Sequence, residues 1–274
     1  MITLDMVDVQ NLSEYVINNP YDVEARFGLA DALEEADLAD QAFILRTVTE
    51  LGRWPTPERR AEIEPRMTQM INEGVEPFPL YRKLILQGGV ELDMAVIPPG
   101  GFMMGSPDDE PNRYEEEIYH PVELTHGVYI SKYTVTQEQY MAVTGQDPSH
   151  FKGPRRPVET VSWEDAMNFC KTLTGTHCTA ENNLEGWEFT LPTEAQWEYS
   201  ARAGTTTPYH YGKTLTAEMA NIYEEGKQNS GTCDVGLYKP NAFGLYDMHG
   251  NVWQWCRDYY SRDAYKPGNR VEEP

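Results

Sequence analysis

Apolar residues recur every three or four positions through the first third of the chain. Val23, Phe27, Ala30 and Leu33 share one helical face, and Leu38, Ala42, Leu45 and Val48 share another. The acidic stretch from Glu34 to Asp37 separates them, which predicts a helical hairpin. A third helix is expected from Pro65, a residue suited to a first helical turn, through Met67, Met70 and Ile71. Residues 1–88 are therefore expected to form a small all-α domain.

The pattern changes near residue 88. Gly-Gly and Pro-Pro pairs punctuate short β-like runs at Leu92 to Ile97, Phe102 to Met104, Val122 to Leu124 and Val128 to Tyr133. The run DDEPNRYEEE between them reads as a solvated loop. Three short helices have legible starts: Thr136 with Gln139, Thr193 with Gln196, and Ser162 with Asp165, each a capping pair. In the helix after Ser162, the residues Ala166, Phe169, Cys170 and Leu173 lie on one face. Few helices among many short strands predict an α+β domain over residues 89–274, with a core rich in loops.

Charge narrows the function. Forty-four acidic residues against 22 basic ones leave a net charge of -22. Nucleic-acid binding depends on neutralising phosphates with Lys and Arg, so no nucleic-acid partner is expected, nor an anionic membrane surface. No apolar run approaches the roughly 18 residues of a membrane span. The start MITLDMVDVQNLSEY lacks a basic segment followed by an apolar one, so no signal peptide is expected. The four cysteines, Cys170, Cys178, Cys233 and Cys256, form no CxxC pair and are sparse for a disulfide scaffold. Together these predict a cytoplasmic protein.

Two segments carry resemblances. RFGLADALEEADLADQAFILR, with Arg26, Ala30, Asp31, Leu33, Glu34 and Glu35, resembles a helical module found beside other domains in large bacterial proteins, an adaptor and not a catalyst. Further on come MAVIPPGGFMMGS, HPVELTHGVYISKYTVTQEQYMAV, PVETVSWEDAMNFCKTL, LPTEAQWEYSARAGT and NAFGLYDMHGNVWQWCRDYY. In this order they resemble the formylglycine-generating-enzyme (sulfatase-modifying-factor) superfamily over about residues 89–262. The resemblance implies a fold related to C-type lectins, with little regular secondary structure. Trp163, Trp197, Trp253 and Trp255 are expected to pack inward, the last two on one face of a strand. Arg202 is expected to complement a helix dipole.

The resemblance also implies structural calcium, which takes six to eight oxygen ligands. Asp247 and Gln254 would supply side-chain oxygens, and Gly250 and Val252 backbone carbonyls. The family more often has Glu where Gln254 stands. A second calcium position would use Asn221 and Ile222, but its acidic partner a dozen residues later is not evident in KQNSGTCDVG.

Catalytic relatives bind copper through two cysteines in a C-terminal segment, after an R-G-G-S-W-like strand. Here RDYYSRDAYKPGNRVEEP stands instead, with Val271 where that strand should begin. The chain thus reads as truncated at its C-terminus. Cys170 is expected on an apolar helix face, Cys256 beside a core tryptophan, and Cys178 and Cys233 in loops. An iron-dependent branch uses histidines of an added helical domain. The six here, His120, His126, His150, His177, His210 and His249, all fall later and are expected to be unclustered. Three readings follow. The first is a non-catalytic binding or scaffold member with a protein or peptide partner. The second is a copper-dependent formylglycine-generating oxidase lacking its catalytic segment. The third is a variable protein of a diversity-generating retroelement.

Overall fold

A computed structural model describes residues 4–223 and 231–265. Four helices open the chain: α1 (Leu4–Asn18), α2 (Val23–Glu35), α3 (Ala39–Leu51) and α4 (Pro57–Glu73). Asp22 caps α2 by accepting the Ala25 N–H at 2.9 Å, and Val9 and Val16 of α1 pack with Leu29 and Leu33 of α2. Helix α4 starts eight residues before the expected Pro65. Thr56 is its cap and Pro57 occupies its first turn, while Pro65 lies inside. The Thr-Pro pair supplies both a cap oxygen and a preset φ, so it nucleates the helix in place of Pro65. Gly74, at φ 101°, ends it in the left-handed conformation that glycine adopts without strain.

Five strands follow: β1 (Tyr81–Ile85), β2 (Glu91–Ile97), β3 (Gly100–Met104), β4 (His120–Leu124) and β5 (Val128–Ser131). One antiparallel sheet has the order β1-β2-β5, with Leu84 opposite Leu92 and Ala95 opposite Ile130. A second pairs β3 with β4, placing Phe102 opposite Val122. Helices α5 (Gln137–Thr144), α6 (Trp163–His177) and α7 (Glu194–Arg202) each begin with the full capping box read from the sequence.

The division expected at residues 88 and 89 falls in the turn Gln87–Gly89 that joins β1 to β2. The helical segment and the mixed segment share one core. Ile44, Val48 and Leu51 of α3 and Ile63 and Met67 of α4 cluster with Ala95, Ile97, Phe102, Tyr199 and Leu245. Arg26 reaches across the same seam, 3% exposed, donating to Thr49 Oγ1 and to the carbonyl oxygen of Val96.

Candidate functional site

The site is built around β5, the terminal strand of its sheet among the described residues. Val128 and Ile130 turn to the shared core, whereas Tyr129 packs against the opposite side of the sheet. Helix α6 covers that opposite side with Phe169, Cys170 and Leu173, which cluster with Leu84, Leu92 and Met94. Between β5, α6 and the segment 246–257 runs an open cleft of about 360 Å³, walled by Tyr129, Trp187, Phe189, Trp197, Trp253 and Trp255.

Two expected core tryptophans stand on the surface. Trp253 is fully exposed and Trp255 is 49% exposed, and residues 251–256 form no strand. No strand ladder forms at this stretch, so the two-residue spacing does not place them on a sheet face. Trp255 instead donates its indole N–H to the Val161 carbonyl at 3.1 Å. Cys256 accordingly follows an exposed tryptophan, and its carbonyl accepts the Trp163 indole N–H at 3.0 Å. Trp197 and Trp163 are both partly buried.

The segment Asp247–Gln254 folds tightly under the cleft. Asp247 and Asn251 adopt φ of 57° and 70°. Asn251 clasps Cys233 with a pair of side-chain hydrogen bonds, 2.9 and 3.1 Å, while its N–H donates to the Asn221 carbonyl. A Cβ on Gly250 would meet that same carbonyl at 2.7 Å, so only glycine fits there. Gln254 donates to the Asp247 carbonyl at 3.2 Å and accepts the Trp197 indole N–H at 2.8 Å.

These contacts test the calcium expectation. Asp247 and Gly250 line a narrow crevice with Asn221, while Val252 and Gln254 line the main cleft. The Asp247 carboxylate accepts the Gly236 N–H, and the Gly250 carbonyl accepts the Val252 N–H at 2.9 Å. Burial pushes the Asp247 carboxyl above its ordinary range. At the second position the Asn221 carbonyl is taken by Asn251, its side chain donates to Gly231, and the Ile222 N–H binds Ala220. Only one of these oxygens belongs to a carboxylate, and those of Asp247, Gly250, Gln254 and the Asn221 carbonyl already accept protein N–H groups, a poor match to the carboxylate-rich shell of six to eight oxygens that calcium takes. Among the described residues, no group of three His, Cys, Asp or Glu side chains is placed to hold a metal.

A histidine pair was missed. His210 and His249, expected apart, stack with ring centroids 4.7 Å apart, and the His210 N–H donates to His249 Nε2 at 3.1 Å. That bond places the His249 proton on Nδ1. Burial lowers both, His249 to about 4. Thirty-nine residues separate them, and only the packing of the 209–212 turn on the 247–251 loop joins them. No local spacing could reveal it.

The thiols are held in their neutral form. Burial pushes Cys170 up to about 11 and Cys256 to about 12, and raises Cys178 and Cys233. Arg202, at the end of α7, pairs with Glu198 at 2.8 Å and donates to the Gly105 carbonyl at 2.7 Å, pinning α7 to the end of β3. Val271 and the final RVEEP lie outside the described residues.

Fold and cleft together define an α+β domain of the C-type-lectin-like, formylglycine-generating-enzyme type, with an aromatic cleft at a sheet edge. Residues 88–273 match the sulfatase-modifying factor enzyme 1-like domain, and the chain belongs to that family. It is 35% identical over 176 residues to chaperone protein LppX of Paenibacillus barcinonensis, covering 48% of this chain and 62% of that protein. It is 32% identical over 148 residues to the formylglycine-generating enzyme of Thermomonospora curvata, covering 48% of this chain and 44% of the enzyme. A serine/threonine-protein kinase pkn1 of Chlamydia caviae aligns over 89% of this chain, helical segment included, at 26% identity and 37% of its own length. The chain thus spans less than two thirds of each of these three relatives. Among solved structures, Treponema denticola variable protein 1 superposes with a TM-score of 0.55 at 29% identity, covering 67% of this chain and 78% of that one. PvdO from Pseudomonas aeruginosa gives 0.54 at 31%, covering 65% and 75%. No helix of the described residues is long and apolar enough to cross a membrane.

Proposed function

We propose that this protein is a non-catalytic binding member of its family, which holds a protein segment in the aromatic cleft. The observation that carries this reading is the cleft itself: a large apolar surface left open beside a sheet edge, with Trp253 fully exposed at its rim. Aromatic side chains gathered along one open cleft suit contact with a protein segment. The thiols support the same reading. Copper(I) ligation and nucleophilic attack both require thiolates, and burial disfavours the thiolate at all four cysteines. A relative named as a chaperone adds weight to a protein partner.

The test is a peptide array probed with the full chain, alongside copper(I) and a CxPxR peptide in air. Retention on peptides rich in apolar and aromatic residues, weakened by Trp187→Ala, is expected. The expected mass spectrum of the CxPxR peptide is unchanged. No retention on any peptide, together with conversion of the cysteine to formylglycine, would sink the reading in favour of the oxidase.

A further inference from the structure

We infer that Tyr81, Tyr133 and Tyr246 form a binding site for a quaternary ammonium group, with the side chain of Lys132 as its displaceable resident. The inference goes beyond the binding reading above and stands on a different observation.

The Lys132 ammonium lies 4.4 Å from the ring centroid of Tyr81, 5.1 Å from that of Tyr133 and 5.5 Å from that of Tyr246. It makes no hydrogen bond or ion pair among the described residues. Cations are drawn to the negative faces of aromatic rings, and several rings around one cation make a cage. These rings are held from elsewhere. The Tyr81 hydroxyl donates to the Gly244 carbonyl at 2.9 Å and the Tyr246 hydroxyl to Glu76 at 3.3 Å. The Tyr133 and Tyr246 rings pack 5.0 Å apart, and a Cβ on Gly236 would meet the Tyr133 ring at 2.6 Å. Burial pushes the Tyr81 and Tyr246 hydroxyls up, so both rings stay neutral. None of these contacts uses the lysine ammonium, so the cage stands without it.

Lys132 has a second partner within reach. Its N–H donates to the Asp93 carbonyl at 2.8 Å, which continues the β2–β5 register by one residue and sets the two directly opposite. Opposite residues point to the same side of a sheet, with Cβ atoms about 5 Å apart. Asp93 Oδ1 is nonetheless buried and without a partner among the described residues. The other cation in that row, Lys83, is tied to Glu91 at 2.7 Å. Lys132 can therefore swing from the cage to the Asp93 carboxylate, and the ion pair formed there offsets the contacts given up.

The chemistry of the seat selects the ligand. A primary ammonium carries three N–H donors that want acceptors, and the tyrosine faces offer none. A quaternary ammonium has no N–H to satisfy, so the same faces hold it at lower cost. The carboxylates of Glu76 and Asp93 lie close enough to act on Tyr81, and the whole chain carries a net charge of -22, so the surrounding field favours a cation.

The test uses the full chain with choline and with a short peptide, acetyl-Gly-(trimethyl-Lys)-Gly-amide. Dimethylbutanol, in which carbon replaces the choline nitrogen, is the uncharged control. Proton NMR of the ligand methyl groups reads binding directly, because ring currents inside a cage move those signals upfield. At least one cation should shift and saturate, and the alcohol should bind more weakly by about tenfold or more. Lys132→Ala should tighten binding by about tenfold, since no resident has to leave. Tyr81→Leu and Tyr246→Leu should each weaken it, with circular dichroism checking that the variants fold. Asp93→Asn should weaken binding more in the wild type than in Lys132→Ala, because only there does the displaced lysine need its second seat. Binding of choline supports a free cation as ligand, and binding of the peptide alone supports a trimethylated lysine. No shift of either cation with the wild type overturns the proposal, even where Lys132→Ala binds, since the lysine then closes the site. Equal binding of the alcohol also overturns it, because apolar contact would then account for the site. The comparison of wild type with Lys132→Ala decides the matter should the tyrosine variants fail to fold.

Discussion

Arg26 in α2 donates through Nη1 to the main-chain carbonyl of Val96 in β2, 3.4 Å away, and through Nε to Thr49 Oγ1 in α3 at 3.3 Å. Both acceptors are neutral, and burial pushes the guanidinium down to about 10. A segment that resembles a separate helical module is thus hydrogen-bonded into the sheet. Arg26→Ala removes these bonds and leaves a cavity at the seam, so global stability should fall by about 2–4 kcal/mol. Arg26→Met fills the space without a buried charge and should retain most of it. Urea unfolding followed by far-UV circular dichroism and by tryptophan fluorescence should give coincident transitions in both variants. Transitions that separate would mean that the helices melt on their own.

Proteolysis offers a second view of the same seam. The turn at Gln87–Gly89 is exposed, as is most of the loop 108–116, so nicking is expected at one or both. The fragments should nonetheless co-elute on gel filtration, because α3 and α4 are packed into the core with β2, β3 and α7. A free helical fragment after cleavage near residue 88 would show two independent domains.

A tight triplet lies at the centre of that core. Tyr199 is 1% exposed, and its hydroxyl, without a hydrogen-bond partner among the described residues, is wedged between Gly52 and Gly100. A Cβ on Gly52 meets that hydroxyl at 2.9 Å and otherwise nothing closer than 3.6 Å. A Cβ on Gly100 meets the hydroxyl at 2.5 Å and also the Gly52 carbonyl at 2.9 Å. Gly52→Ala and Gly100→Ala should each destabilise by about 1–3 kcal/mol. Adding Tyr199→Phe should restore most of the loss for Gly52→Ala and only part for Gly100→Ala, since backbone cannot retreat as a hydroxyl can. Equal rescue in the double-mutant cycles would contradict the geometry.

Much of this architecture is written locally. Thr136, Ser162 and Thr193 announce α5, α6 and α7 because a cap and its partner lie three residues apart. The β2 run is legible because it is a short, largely apolar stretch between glycine and proline signals. Helix α1 and the start of α4 were not legible, the latter because Thr56-Pro57 and Pro65 both offer a proline suited to a first helical turn. The cleft was not legible. Trp253 and Trp255 look like core residues by type, and only the absence of a paired strand at 251–256 exposes them. The joining of Asn221 to the 247–251 loop spans thirty residues of chain, as the 3.2 Å bond between Asn221 and Asn251 shows.

Calcium gives a test of the Asp247 loop. Oxygens at Asp247, Gly250 and Gln254 already serve protein N–H groups, so added calcium should leave the wild-type melting temperature unchanged. Gln254→Glu keeps an acceptor for the Trp197 indole and adds a second carboxylate near the loop. Only that variant should gain a calcium-dependent rise, as a ligand bound to the folded state alone stabilises it. A rise in the wild type that vanishes in Asp247→Ala would restore the calcium site.

The His210–His249 stack should make the protein sensitive to mild acid. Burial disfavours the imidazolium in both rings, and His249, near Arg202, is pushed down to about 4. An unfolded histidine takes up its proton near pH 6.5. Between about pH 6.5 and 4 the unfolded chain therefore binds more protons than the folded one, and stability falls as pH falls. For His249 alone the full loss amounts to about 3 kcal/mol by pH 4, and above pH 6.5 the effect is absent. Asp247 in the same crevice works in the opposite sense, since its raised carboxyl binds a proton more readily when folded. His249→Gln preserves an acceptor for the His210 N–H while removing the titration. Urea unfolding at pH 7.5 and at pH 5 should show a smaller loss in that variant than in the wild type. Identical losses in the two proteins would place the acid sensitivity elsewhere in the chain.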